Sequence, residues 1–133
     1  MHLSMYKIII NGSRDFNNYT YLRLMLKEYI MTNQINPESI EIISGGAKGA
    51  DTLAIKFAKE HNLNYKVMNA DWNKYGKRAG IIRNAEMLTY AISNPNDIAI
   101  LISFWNGTSK GTKHMIDISN DKGIIVKVME IGD

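Results

Sequence analysis

Five short apolar runs recur along this chain, separated by amphipathic stretches. Tyr6-Lys7-Ile8-Ile9-Ile10 comes first, followed by Ile40 to Ile43, Tyr65 to Met68, Ile98 to Ile102 and Ile124 to Val128. Most are continuous rather than alternating, the pattern of strands buried on both faces of a sheet. Between them, apolar residues return at helical spacing. One stripe is Leu22, Met25, Leu26, Tyr29 and Ile30; a second is Ala50, Leu53, Ala54, Phe57 and Ala58. A third, Ile81, Ile82, Ala85, Leu88 and Ile92, ends before Asn94-Pro95-Asn96-Asp97. A shorter fourth, Thr112, Met115, Ile116 and Ser119, is ended by Lys122-Gly123. The order β-α-β-α-β-α-β-α-β predicts an α/β fold with a five-stranded parallel sheet, helices on both faces and right-handed crossovers.

Length and composition narrow the chemistry. The 133 residues fit one domain over 1–133, with no linker, repeat or low-complexity tract. There is no cysteine, which excludes disulfides, thiolate metal sites and thiol catalysis. His2, His61 and His114 are scattered and no pair has helical ligand spacing, so no metal and no cofactor is expected. No apolar run approaches a membrane span and the N-terminus does not read as a signal peptide, which predicts a cytoplasmic protein without a membrane partner. The formal charge of +3 suits an anionic ligand and is a weak pointer to nucleic acid.

Three turns carry the candidate chemistry, and each follows a strand and precedes a helix. In a parallel sheet all three lie on the carboxyl edge, where open α/β sheets bind ligands. After the second strand comes Ser44-Gly45-Gly46-Ala47-Lys48-Gly49-Ala50-Asp51. Its glycines allow a sharp turn and close approach of the backbone to a ligand. The unpaired amides and dipole of the next helix then favour a phosphate. After the first strand, Gly12-Ser13-Arg14-Asp15 adds a hydroxyl and a guanidinium fork that matches phosphate. Asp15, Asn18 and Thr20 compete to cap the first helix. After the fourth strand, Trp105-Asn106-Gly107-Thr108-Ser109-Lys110-Gly111-Thr112 repeats the logic, with Trp105 placed either to stack on a base or to cover the sheet. Lys77, Arg78, Arg83, Asn84 and Met87 belong to the third helix and its entry, and Arg83-Asn84 is the better pair for a pocket. The long irregular piece Asn69 to Lys77 lies on the same edge and holds Asp71-Trp72-Asn73-Lys74-Tyr75-Gly76. Neither a P-loop nor the dinucleotide fingerprint is present, which disfavours a usual NAD dehydrogenase.

Taken together, Gly12-Ser13-Arg14, Ser44 to Asp51, Arg83-Asn84-x-x-Met87 and Trp105-x-Gly107-x-Ser109-x-Gly111-Thr112 resemble the SLOG superfamily. That group includes DNA-processing protein A and the Lonely Guy phosphoribohydrolases, and the likeness is greatest to its small stand-alone YspA-like branch. The resemblance implies a Rossmann-like three-layer α/β/α sandwich and a pocket for nucleotide-derived ligands. It implies that the Gly45–Gly46 and Gly111–Thr112 turns hold phosphate or ribose and that Arg83 and Asn84 line the pocket. One departure matters. Lonely Guy enzymes carry Pro-Gly-Gly-x-Gly-Thr-x-x-Glu, whereas here Gly111-Thr112 runs into Lys113-His114-Met115. Cleavage of an N-glycosidic bond develops oxocarbenium character that a carboxylate stabilises, so the missing Glu weakens a hydrolase reading. Asp51 and Glu86 are the substitutes, although Asp51 also suits a first helical turn and Glu86 an exposed helix face.

The leading expectation is therefore a domain that senses or sequesters a nucleotide or ADP-ribose-like ligand without strong catalytic equipment. A phosphoribohydrolase is the alternative. Single-stranded nucleic-acid binding is a third reading, with Lys48, Lys74, Lys77, Arg78 and Lys110 as a basic rim but no aromatic ladder. Tyr29, Met31 and Tyr90 are candidates for a helix-mediated homo-oligomer.

Overall fold

A computed structural model describes residues 4–132, so His2 lies outside the described residues. The strands are β1 (Tyr6–Gly12), β2 (Ile40–Ser44), β3 (Asn64–Val67), β4 (Ile98–Trp105) and β5 (Ile125–Glu130). The helices are α1 (Tyr19–Thr32), α2 (Ala50–Glu60), a one-turn α3 (Trp72–Tyr75), α4 (Ala79–Ala91) and α5 (Lys110–Asp121). Every strand pair is parallel and the order across the sheet is β3-β2-β1-β4-β5. This is the Rossmann-like α/β arrangement that the strand–helix alternation predicts.

Continuous apolar runs are needed because helices cover both faces of the inner strands. Successive side chains on a strand point to opposite faces. Ile8, Ile10, Ile42, Ile100, Ile102 and Phe104 face Leu22 and Leu26 of α1 and Ala54 and Phe57 of α2. Ile9, Ile43 and Leu101 face Met87, Leu88 and Ala91 of α4 and Met115 and Ile116 of α5. The edge strands differ from expectation. All of β3 is exposed, and β5 has no buried residue. An edge strand has a neighbour on one side alone, and the helices centre on the middle of the sheet, so burial on both faces is confined to β1, β2 and β4.

Boundaries shift by one to three residues from the periodicity. β1 runs on to Gly12 and β4 to Trp105, bringing the candidate turns directly onto strand ends. Of the three rivals for the α1 cap, Asn18 takes it, its side chain accepting from the Tyr21 amide at 3.0 Å. The long irregular piece after β3 is partly ordered. Asp71 caps α3 by accepting from the Lys74 amide at 3.1 Å, and a 3-10 turn, Gly76–Arg78, leads into α4.

The chain reverses its direction of travel across the sheet between β1 and β4. From β1 it steps to β2 and β3, then α4 crosses the opposite face and returns it to β4 beside β1. Loops leaving the carboxyl ends of β1 and β4 therefore diverge to opposite faces. The crevice they leave is the switch point where ligands settle in open α/β sheets.

Candidate functional site

A cleft of about 550 Å³ occupies that switch point. From the end of β1 come Asn11, Gly12, Ser13, Arg14 and Asp15; from the β2–α2 turn, Ala47 and Asp51. The loop after β3 and α4 supply Trp72, Lys77, Gly80, Ile81, Arg83, Asn84 and Met87. The loop after β4 and α5 supply Asn106, Ser109, Lys110, Gly111, Thr112 and His114. Residues far apart in sequence meet here because parallel strands deliver all their carboxyl ends to one edge.

Ser13 sits at the centre. It is 2% exposed and its amide donates to the Phe104 carbonyl at 3.1 Å. Its Oγ, however, is buried without a hydrogen-bond partner in the protein, on a residue that borders the cleft. Native proteins rarely leave a buried hydroxyl unmatched, and among the described residues Ser13 and Ser119 are the two that have one.

The start of α5 is built around two side chains. Asn106 Oδ1 accepts from the Thr108 amide, the Thr108 hydroxyl and the Ser109 amide at 2.9 to 3.0 Å. Ser109 caps the helix, its Oγ 3.4 Å from the Thr112 amide and 2.9 Å from the Thr112 hydroxyl. The next amides, of Lys110 and Gly111, have no carbonyl four residues back inside the helix. They carry the positive end of its dipole into a cleft whose rim also holds the Arg14, Lys77 and Lys110 side chains.

Opposite them, a chain of polar contacts links α2, α4 and α5. Asp51 is 4% exposed, and its Oδ2 accepts from the Ala47 amide at 3.2 Å. Burial pushes its carboxyl up to about 6, against the opposing pull of Arg83, the Ala47 amide and Arg14. Arg83 donates through Nη1 to the Gly45 carbonyl at 2.6 Å and through Nε to Asn84 Oδ1 at 3.2 Å. Burial lowers its pKa and Asp51 raises it, but a guanidinium stays charged across the working range. Asn84 Nδ2 reaches the Gly111 carbonyl at 3.2 Å and His114 Nδ1 at 3.1 Å. With the amide donating to Nδ1, the neutral imidazole carries its proton on Nε2.

Eleven of the expected ligand residues thus share the cleft wall: Gly12, Ser13, Arg14, Ala47, Asp51, Arg83, Asn84, Met87, Ser109, Gly111 and Thr112. The structure places Ser44, Gly45, Gly46, Lys48, Gly49, Arg78, Trp105, Gly107 and Thr108 off that wall, together with the candidate acid Glu86, which is exposed. The reason the glycines are needed also differs from the expectation of a bare turn against phosphate. A Cβ on Gly45 would strike the Arg83 guanidinium and come within 2.8 Å of Asp51 Oδ2. At Gly46 (φ +72°) it would meet Asn69, and at Gly49 (φ +83°) the Ser13 and Arg14 carbonyls. The turn before α2 is thus packed against the protein's own groups, with the Ala50 amide 3.5 Å from the Ser13 carbonyl and Asp51 Oδ2 accepting from the Ala47 amide. Ser44 Oγ is likewise engaged, donating to the Asp51 carbonyl at 2.8 Å. Trp105 donates its Nε1 to the Ser109 carbonyl at 3.1 Å and packs on the α4–α5 core.

Gly80 and Ile81 were not expected on the wall, Trp72 and His114 had no assigned site role, and Asn106 was expected only as part of its turn. Signals existed for some. His114 lies three residues beyond Gly111 on the same helical face. Asn106, two and three residues before Thr108 and Ser109, has the spacing of a side chain that closes a turn. Of the expected basic rim, Lys77 and Lys110 reach the cleft, whereas Lys48, Lys74 and Arg78 are exposed away from it. Of the residues expected at a self-association face, Met31 is 73% exposed, and Tyr90 donates its hydroxyl to Glu41 at 2.6 Å. A neighbouring hollow of about 430 Å³ shares Asp15 and Asn106 but is walled also by Glu130 and by no cationic residue, so it repels phosphate. Among the described residues no group of His, Asp and Glu could hold a metal, and no helix is long and apolar enough to cross a membrane.

Comparison with known proteins places the chain in a family. The chain is similar to the Gene 61 protein of Mycobacterium phage D29, 29% identical over 134 residues, covering 97% of this chain and 98% of the relative. The family model of the YspA, cpYpsA-related SLOG proteins (YAcAr) matches residues 6–75, the stretch that supplies β1, α1, β2, α2, β3, α3 and the Ser13, Arg14 and Asp51 walls of the cleft. This chain belongs to the YspA, cpYpsA-related SLOG family.

Proposed function

We propose that this domain binds a phosphorylated, nucleotide-derived ligand in the switch-point cleft and acts as a sensor or sequestering module. Membership of a SLOG family supports a nucleotide-related role. The observation that carries the reading is the unpartnered, buried hydroxyl of Ser13, on a residue that borders the same cleft as the first turn of α5, Arg14 and Lys110. A tetrahedral oxyanion satisfies all of these groups at once. Calorimetric titration with AMP, ADP-ribose and inorganic phosphate tests the proposal. Arg14→Ala and Ser13→Ala each weaken nucleotide binding, Arg14→Ala by roughly 10-fold or more, the value of a charge-assisted hydrogen bond. Absence of binding by all three compounds at millimolar concentration sinks it, as does unaltered affinity in both variants.

Asp51 favours a second reading, cleavage of an N-glycosidic bond. A carboxyl raised to about 6 within a ligand cleft has the acidity of a general acid or of a base near neutral pH. Release of adenine from AMP, abolished in Asp51→Asn with nucleotide binding retained, would establish it. No release at stoichiometric enzyme would leave binding as the activity.

A further inference from the structure

We infer that Trp72 is the platform for an aromatic base, and that it sets the ligand class as a nucleotide rather than a sugar phosphate. This rests on the phosphate reading of the cleft and adds where the rest of the ligand goes.

Two tryptophans lie on the carboxyl edge and the structure gives them opposite duties. Trp105 is fixed by its bond to Ser109 and stays off the cleft wall. Trp72 lines the cleft and is 50% exposed. Its exposure is not that of a loose loop. The indole stands on a one-turn helix whose amino end is capped by Asp71 and whose carboxyl end turns at Gly76, with φ +58°. One edge of the ring rests against Gly80 of α4, where a Cβ would lie 3.6 Å from the indole. Ile81, next along α4, is 53% exposed on the same wall. Two large, half-exposed apolar side chains in one cleft are costly to leave wet and mark a place where something flat and apolar docks.

The positions fit a ligand with two ends. Asn84, which touches Gly111 at the phosphate end, lies four residues beyond Gly80 on the same face of α4. Trp72 therefore stands about one helical turn, roughly 6 Å, along α4 from the group that contacts Gly111. Arg83 lies between Gly80 and Asn84 on α4, and it and Asp51 also line the cleft, offering donors and acceptors to a ribose. The Arg14 guanidinium lies over the Trp72 ring, 6.0 Å from its centre, and brings a cation to the base end of the cleft. A base stacked on the indole meets a π-face that tolerates any base, so the site selects for the presence of an aromatic ring and not for its identity.

The test compares AMP with ribose 5-phosphate by calorimetry on the wild type, Trp72→Ala and Trp72→Phe. Trp72 is half exposed, so neither variant disturbs the core, and circular dichroism confirms the fold. The wild type binds AMP more tightly than ribose 5-phosphate. Trp72→Ala weakens AMP by roughly 5- to 100-fold and leaves ribose 5-phosphate unaltered, and Trp72→Phe recovers most of the AMP affinity. Equal loss for both compounds in Trp72→Ala, or no loss for AMP, overturns the platform while leaving the phosphate site standing. Failure of the wild type to bind either compound overturns the phosphate site, and the platform with it.

Discussion

At the scale of single residues, the glycines and Asp51 show how one sequence feature can carry two readings. Gly45, Gly46 and Gly49 are legible as a tight turn, and each is required. What they make room for was not legible, because the intruding atoms belong to Arg83, Asn69, Ser13 and Arg14, as distant along the chain as position 83. Asp51 has the residue type and position of a helix-start acid, yet burial rather than the helix dipole governs it. Its carboxyl titrates near 6 in the fold against 3.8 as a free group. Between those values the unfolded chain releases its proton first, so the contribution of Asp51 to stability falls as pH rises from about 4 to 6 and stays low above. The shift corresponds to roughly 3 kcal/mol. Urea unfolding of wild type and Asp51→Asn at pH 4 and pH 7 checks this. The variant gains stability relative to wild type by on the order of 1–3 kcal/mol between the two pH values. A constant difference across that range contradicts it.

At the scale of elements, Asn84 joins two helices that meet nowhere in sequence. Its amide accepts from Arg83 on α4 and donates to Gly111 and His114 on α5, in a position 5% exposed. Asn84→Ala removes three hydrogen bonds at once, a loss of about 1–3 kcal/mol in unfolding free energy. It also frees the start of α5 to drift from Ser13, so AMP affinity drops alongside stability. Asn84→Ala with wild-type stability would show that the α4–α5 seam stands on apolar packing alone. The existence and type of the helices follow from 3.6-residue periodicity, and α5 was readable despite its short stripe. α3 was not readable, because a single turn has no periodicity; its signal is the Asp71 cap alone.

At the scale of the whole molecule, the sheet is graded from centre to edge. β1 lies between β2 and β4, and β3 and β5 form the two margins. Local opening costs little where few apolar groups are buried. Native-state hydrogen exchange therefore finds β1 and β4 amides among the slowest, and β3 amides exchanging faster by at least an order of magnitude. Uniform protection across all five strands would contradict the gradient. The reversal between β1 and β4 also explains why the cleft is where it is. Two loops that leave adjacent strands for opposite faces cannot pack on each other, and the gap between them remains accessible.

The alternation of apolar runs and amphipathic stretches determined the fold class, the parallel sheet and the edge on which candidate residues would gather. These are consequences of period and order, which are local properties of a chain. Composition likewise determined the absence of thiol chemistry. Tertiary structure alone decided what the glycines before α2 make room for, the side chains of Arg83 and Asn69 and the carbonyls of Ser13 and Arg14. It also decided that Ser13 keeps a hydroxyl unmatched, and that Trp72 rather than Trp105 faces the cleft. Each of those outcomes depends on which atoms from remote segments fill a space first, and periodicity along a chain carries no record of that competition.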